Sequence, residues 1–165
     1  MTAPDITIAK DIMTPKVVSV SPEASLLEAS DLMTKGEYNG LPVVSESGRV
    51  LGIITEYDLL SKGTRIHLPT FIKYFSSASD RDKKPILQDA LAESVAFTVR
   101  DVMNPDPITF KEDTPIEEMV EAFSAHHRVN PVPVTNREGI VTGIVSRYDI
   151  IKFYAFMLRK AKNMK

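Results

Sequence analysis

Gly52-Ile53-Ile54-Thr55-Glu56-Tyr57-Asp58 and Gly143-Ile144-Val145-Ser146-Arg147-Tyr148-Asp149 are one phrase written twice in a chain of 165 residues. Working outward from it, the whole neighbourhood repeats. Asp11, Met13, Pro15 and Glu28 recur at an offset of 90 as Asp101, Met103, Pro105 and Glu118. After one inserted residue the offset is 91, and Asn39, Pro42, Val43, Gly48 and Val50 return as Asn130, Pro133, Val134, Gly139 and Val141. A constant offset on both sides of a single insertion is not what chance matching produces. A duplicated unit ending in a glycine, a hydroxyl residue and a carboxylate points to two related binding sites rather than one catalytic centre.

Each copy reads as strand, helix, strand, strand, helix. Val17 to Val20 and Ile108 to Phe110 are short β-branched or aromatic runs suited to strands. In the second copy Thr114 is placed to N-cap a helix, with Pro115 at its first position and Glu117 where a capping box needs it. Ile116, Met119, Val120 and Phe123 then follow helical spacing, matched in the first copy by Leu26, Ala29, Ser30 and Met33. Leu41-Pro42-Val43-Val44 and Val132-Pro133-Val134 read as strands in which each proline must lie where a missing N–H does no harm. Turns at Glu46-Ser47-Gly48 and Arg137-Glu138-Gly139 lead into Val50 to Ile54 and Val141 to Val145, and helices begin near Thr55 and Ser146. The expected fold class is therefore α+β. The boundaries are repeat 1 over 1–60, a non-repeating helical insert over 61–98, and repeat 2 over 99–165 with an extended final helix. The insert shows short helices entered at Pro69 and Pro85, with Leu87, Ala90 and Leu91 on one face, and reads as a spacer.

Physically, the phrase ends a strand and starts a helix with Thr55 or Ser146 at the N-cap. Backbone N–H groups at a helix start favour anions such as phosphate. An ionised Asp58 or Asp149 accepts hydrogen bonds, two of them from a ribose diol if one is present. The glycines allow close approach of a backbone or a ligand. The same spacing is also an N-terminal capping signature that binds nothing, and the residues alone leave both readings open.

Three motifs, Asp11-Ile12-Met13-Thr14, Asn39-Gly40-Leu41-Pro42-Val43 and Gly52 through Asp58, recur in order as Asp101-Val102-Met103-Asn104, Asn130-Pro131-Val132-Pro133-Val134 and Gly143 through Asp149. In this they resemble the cystathionine β-synthase (CBS) domain, and the pair resembles a tandem CBS, or Bateman, module. The resemblance covers nearly everything except the insert and the two ends. It implies two β-α-β-β-α units related by a pseudo-twofold. It also implies an adenosyl ligand (AMP, ADP, ATP or S-adenosylmethionine) in clefts between the repeats, with no cofactor required. Asp58 and Asp149 inherit the ribose, and Thr55 and Ser146 lie near the phosphate or ribose. Adenine falls among Thr14, Val18 and Pro42 in one copy and Asn104, Ile108 and Pro133 in the other, where Asn104 departs from the usual Ser or Thr. The shared Asn39 and Asn130 join these candidate contacts. A ligand-free dimerising scaffold is the alternative within the same fold.

The copies differ in charge. Glu56 becomes Arg147, and Glu37 becomes Arg128. Arginines bind phosphate through charge-assisted hydrogen bonds, so the site with Ser146 and Asp149 is expected to take phosphorylated nucleotide more tightly than the site with Thr55 and Asp58. The final helix carries Ile150, Ile151, Phe153, Tyr154, Phe156, Met157 and Leu158, apolar nearly all round. That calls for burial against a second subunit, making a homodimer, or under the insert.

Other chemistries find no support. The absence of cysteine excludes disulfides and thiolate metal sites. His67, His126 and His127 have no metal-ligand spacing, and His126 and His127, adjacent on a helix, diverge. Glu117 and Glu118 read as solvated surface, and Met13, Met33, Met103 and Met119 as core filler. Neither a nucleophile elbow nor a P-loop is present, so no catalytic residue is expected. A net charge of −2 offers nucleic acid no bulk attraction, and the basic tail from Lys152 reads as a helix C-terminus. With no spanning apolar run and no secretory leader visible, the expectation is a cytoplasmic protein that contacts no membrane and signals to an effector protein the sequence does not identify.

Overall fold

The computed structural model describes residues 7–61 and 97–163. The insert helices, His67 and the first six residues lie outside them. The described elements run α1 (Ala9–Ile12), α2 (Leu26–Gly36), β1 (Gly40–Val44), β2 (Val50–Thr55), α3 (Glu56–Ser61), α4 (Val99–Val102), β3 (Phe110–Lys111), α5 (Ile116–Ala125), β4 (Val132–Thr135), β5 (Val141–Val145) and α6 (Arg147–Lys162). This is the mixed α+β composition expected.

The chain forms two compact units that interleave in sequence. One comprises Met1–Val17, Glu46–Val50 and Pro107–Lys165; the other comprises Val18–Ser45 and Leu51–Asp106. Each short Asp-x-Met helix is thus housed with the other copy's strands and helices. In the first unit the Ala9 N–H donates to Thr114 O at 2.9 Å, and Thr14 exchanges both backbone bonds with Ile144. In the second unit the Val99 N–H donates to Ala24 O at 2.9 Å, and Asn104 exchanges both bonds with Ile53. The cause lies in the repeated glycines. A Cβ on Gly143 would overlap the Met13 sulfur, and one on Gly52 would come within 2.7 Å of Asn104 O and 2.8 Å of the Met103 sulfur. The glycine of the phrase exists to admit the neighbouring Asp-x-Met segment, which is why the two motifs recur together.

Within the first unit, β3 pairs parallel with β4 and β4 antiparallel with β5. Pro133 therefore sits in the central strand of a three-stranded sheet. Its partner Ile144 turns both of its backbone groups to Thr14, so no hydrogen bond is asked of Pro133 from that side. In the second unit β1 pairs with β2, and Val20 brackets Pro42, donating to Pro42 O and accepting from the Val44 N–H at 3.0 Å each. The hairpin glycines Gly48 and Gly139 take φ of 79° and 80°, a region closed to most side chains.

Separate cores hold each unit. Val20, Leu26, Ala29, Met33, Leu41, Val43, Ile54, Val99 and Val102 fill one; Ala9, Phe110, Met119, Phe123, Val132, Val134 and Val145 fill the other. Phe110 and Phe123 meet edge to face at 5.9 Å.

Several local expectations are corrected. The N-cap of α5 is Pro115, because the Thr114 hydroxyl is turned back to accept from the Lys111 N–H at 2.8 Å, and Glu117 completes no capping box. Val120 is exposed rather than core. The strand expected over Val17 to Val20 is only a bridge at Val20, and that over Ile108 to Phe110 shifts to Phe110–Lys111. His126 and His127 follow the end of α5 rather than lying on it. Apart from these corrections, Tyr148, Ile151, Tyr154, Phe156, Met157 and Leu158 of α6 are exposed in the single chain.

Candidate functional site

The repeated phrase builds the same device in both units. Thr55 is the last residue of β2, and Asp58 lies in the first turn of α3. The Asp58 Oδ2 accepts from the Thr55 N–H at 3.0 Å and from its hydroxyl at 2.7 Å. At the start of α6 the Asp149 Oδ2 accepts from the Ser146 N–H at 2.8 Å and from its hydroxyl at 2.6 Å, while Ser146 Oγ accepts in return from the Asp149 N–H. Both carboxylates are 6% exposed. The capping reading of the phrase is therefore realised: one carboxylate oxygen of each aspartate is held by its own helix start. The second oxygen of Asp149 faces Lys152 Nζ at 2.8 Å. That ion pair pushes the Lys152 ammonium above its ordinary value of 10.5, with burial opposing.

The shared asparagines serve the same helix starts. The Asn130 Oδ1 accepts from the Arg147 N–H at 2.9 Å. Asn39 achieves this differently, its backbone O accepting from the Glu56 N–H while its side-chain amide donates to Glu56 Oε2, both at 3.0 Å. Each helix start thus has protein acceptors already in place where an anion was expected.

Arg147 carries a structural task. Its guanidinium donates to Phe123 O at 2.8 Å, His126 O at 3.0 Å and Val129 O at 3.1 Å, and stands 5.2 Å from the centre of the Phe123 ring. It satisfies the C-terminal carbonyls of α5 and directs its charge there. Charge reasoning from sequence assigned Arg147 to a phosphate because the last turn of α5 is not legible in the residues around it. Arg128 is exposed on the segment after α5 and makes contacts of its own.

The remaining candidates divide between the units. Val18, Asn39, Pro42, Thr55, Asp58 and Asn104 fall in one; Thr14, Ile108, Arg128, Asn130, Pro133, Ser146, Arg147 and Asp149 fall in the other. Thr14 and Asn104 have exchanged places relative to sequence order. Pro42 and Pro133 are fully buried.

Each unit has a cavity beside its phrase. In the unit of Asp149 a space of about 430 Å³ is bounded by Asp11, Ile12, Asp149, Lys152, Phe153 and Phe156. In the other unit about 510 Å³ lies among Glu37, Tyr38, Asn39, Glu56, Leu59 and Leu60. Of the sequence candidates only Asp149 lines the first and only Asn39 the second. Lys152, Phe153 and Asp11 were missed as wall residues; the i, i+3 spacing of Asp149 and Lys152 was the available signal. Among the described residues no cluster of His, Asp or Glu is arranged to hold a metal ion.

The family model for the CBS domain matches residues 9–64 and 99–155. The L-aspartate semialdehyde sulfurtransferase of Methanocaldococcus jannaschii is 27% identical over 90% of this chain, and the inosine-5'-monophosphate dehydrogenase of that organism is 29% identical over 87%. The chain spans only 23% of each of those enzymes. Among solved structures, the CBS domain pair of protein MJ0100, in complex with 5-methylthioadenosine and S-adenosyl-L-methionine, is 26% identical with a TM-score of 0.65, over 92% of this chain and 98% of that one. The CBS-pair protein CBSX2 from Arabidopsis thaliana shares the fold at a TM-score of 0.70 and 22% identity, over 92% of this chain and 96% of that one.

Proposed function

Because this chain belongs to the CBS domain family, with two such domains in tandem, we propose that it is a non-enzymatic regulatory module that binds an adenosyl ligand and passes its occupancy to a partner. The observation that carries the reading is the buried aspartate of the repeated phrase. A carboxylate 6% exposed and fixed through Oδ2 presents Oδ1 in one orientation, the arrangement an acceptor for a ribose diol requires. The MJ0100 pair, held with two adenosyl compounds, supports that ligand class. AMP, ADP, ATP and S-adenosylmethionine are the ligands to test.

The unit containing Ser146 and Asp149 is the one assigned to phosphorylated nucleotide. The unit containing Thr55 and Asp58, whose cavity is walled by Glu37 and Glu56, suits an uncharged or cationic adenosyl compound. A second copy of the chain covers α6, since Ile151, Tyr154 and Leu158 form one exposed stripe on it.

Thermal unfolding with each compound tests the reading. At about 100 times Kd a ligand stabilises by about 2.7 kcal/mol, a shift of several degrees for a chain of this size. Asp149→Asn, which keeps an oxygen at the cap, should fold and lose the shift given by AMP. Unchanged stabilisation of that variant would remove Asp149 from the site.

A further inference from the structure

The cavity between α1 and α6 holds one lysine, and that lysine is closed upon the aspartate assigned to the ribose. Asp149 has both oxygens engaged: Oδ2 by Ser146, and Oδ1 by Lys152 Nζ at 2.8 Å. Lys152 also stands 4.8 Å from the centre of the Tyr148 ring, and its side chain is 55% exposed, so it can leave without disturbing a core. The other copy differs in sequence at this position. Ser61 occupies the corresponding place three residues after Asp58.

From this arrangement we infer that Lys152 is a latch and the specificity-determining residue of the site in that unit, resting on the adenosyl reading proposed above. A ribose diol can take Asp149 Oδ1 only when Lys152 lets go. A neutral nucleoside then leaves the ammonium without its partner. A ligand carrying an anion beyond the ribose gives Lys152 a new partner in the same cavity. That space falls within the ~300–1,000 Å³ range of small-molecule sites, and Ile12, Phe153 and Phe156 supply an apolar wall for a base. Asp11, also on the wall, is directed to its own helix start, where Oδ2 accepts from the Ile8 N–H at 2.9 Å. Preference for a phosphorylated over a neutral nucleoside therefore comes from Lys152 and not from Arg147, whose guanidinium is held by three carbonyls.

Calorimetric titration of the full chain with AMP and with adenosine, for wild type, Lys152→Met and Lys152→Arg, tests this. In Lys152→Met, AMP binding should weaken roughly tenfold, the worth of one charge-assisted hydrogen bond. Adenosine binding should strengthen severalfold, because Oδ1 is unlatched. Lys152→Arg should keep the preference for AMP. Equal shifts for both compounds in Lys152→Met would overturn the latch while leaving the adenosyl reading intact. Failure of wild type to bind AMP or adenosine would overturn the latch, and failure to bind ATP and S-adenosylmethionine as well would overturn the adenosyl reading.

Discussion

Each recurrent aspartate of the repeat accepts hydrogen bonds from its own helix start before it could meet any ligand. Asp101 is the clearest. Its carboxylate accepts from the Thr98 N–H and from the Thr98 hydroxyl, each at 2.8 Å, and these bonds hold its pKa below the ordinary 3.8. A carboxyl whose pKa is lower folded than unfolded contributes stability that is fully present above its unfolded value and is lost as pH falls through its folded one. Asp101→Asn should therefore lower the thermal midpoint at pH 7, and the gap from wild type should close below about pH 4. A gap that stays constant down to pH 3 would assign its effect to something other than the charge. Asp58 and Asp149 accept from the same N–H and hydroxyl pair at the starts of longer helices, and the capping signature was readable from the i, i+3 spacing of hydroxyl and carboxylate. What spacing could not reveal was which oxygen is consumed. For Asp149 that depends on where Lys152 falls around the helix relative to the aspartate.

Among the elements, α2, α3, α5 and α6, the β1 and β4 strands with their prolines, and the two hairpin turns were legible because glycine, proline and apolar periodicity act locally, whereas the short helices α1 and α4 were not expected. The exchange of the short Asp-x-Met helices was not. It rests on Met13 meeting Gly143 and Met103 meeting Gly52, contacts made between distant segments that no local pattern encodes. The same is true of the α5 to α6 connection. Arg147 alone supplies three hydrogen bonds to the exit of α5 and packs over Phe123. Arg147→Ala should cost about 2–4 kcal/mol in urea denaturation, since carbonyls at a partly buried helix end lose a charged donor. Arg147→Lys should recover only part of this, because an ammonium cannot reach three diverging carbonyls as a planar fork does. Full recovery by lysine would show that the charge matters and the geometry does not. In the first copy Glu56 bonds Asn39 instead, so a phrase repeated in sequence anchors its helix by two different means.

For the molecule as a whole, no described helix is long and apolar enough to cross a membrane, and α6 leaves Ile151, Tyr154 and Leu158 between 54% and 63% exposed. A self-complementary stripe of that kind is expected to bury itself against a second copy. Sedimentation should give a dimer for wild type and a monomer for Ile151→Glu combined with Leu158→Glu; an unchanged mass for the double variant would place the interface elsewhere. The central claim is that this pair of domains binds adenosyl compounds unequally. Titration calorimetry of the full chain with ATP, AMP and S-adenosylmethionine tests it most directly. The account predicts saturable heat, with nucleotide binding tighter at the site of Ser146 and Asp149 than at the site of Thr55 and Asp58. Two equal, independent ATP sites per chain, or no heat with any of the three, would contradict it.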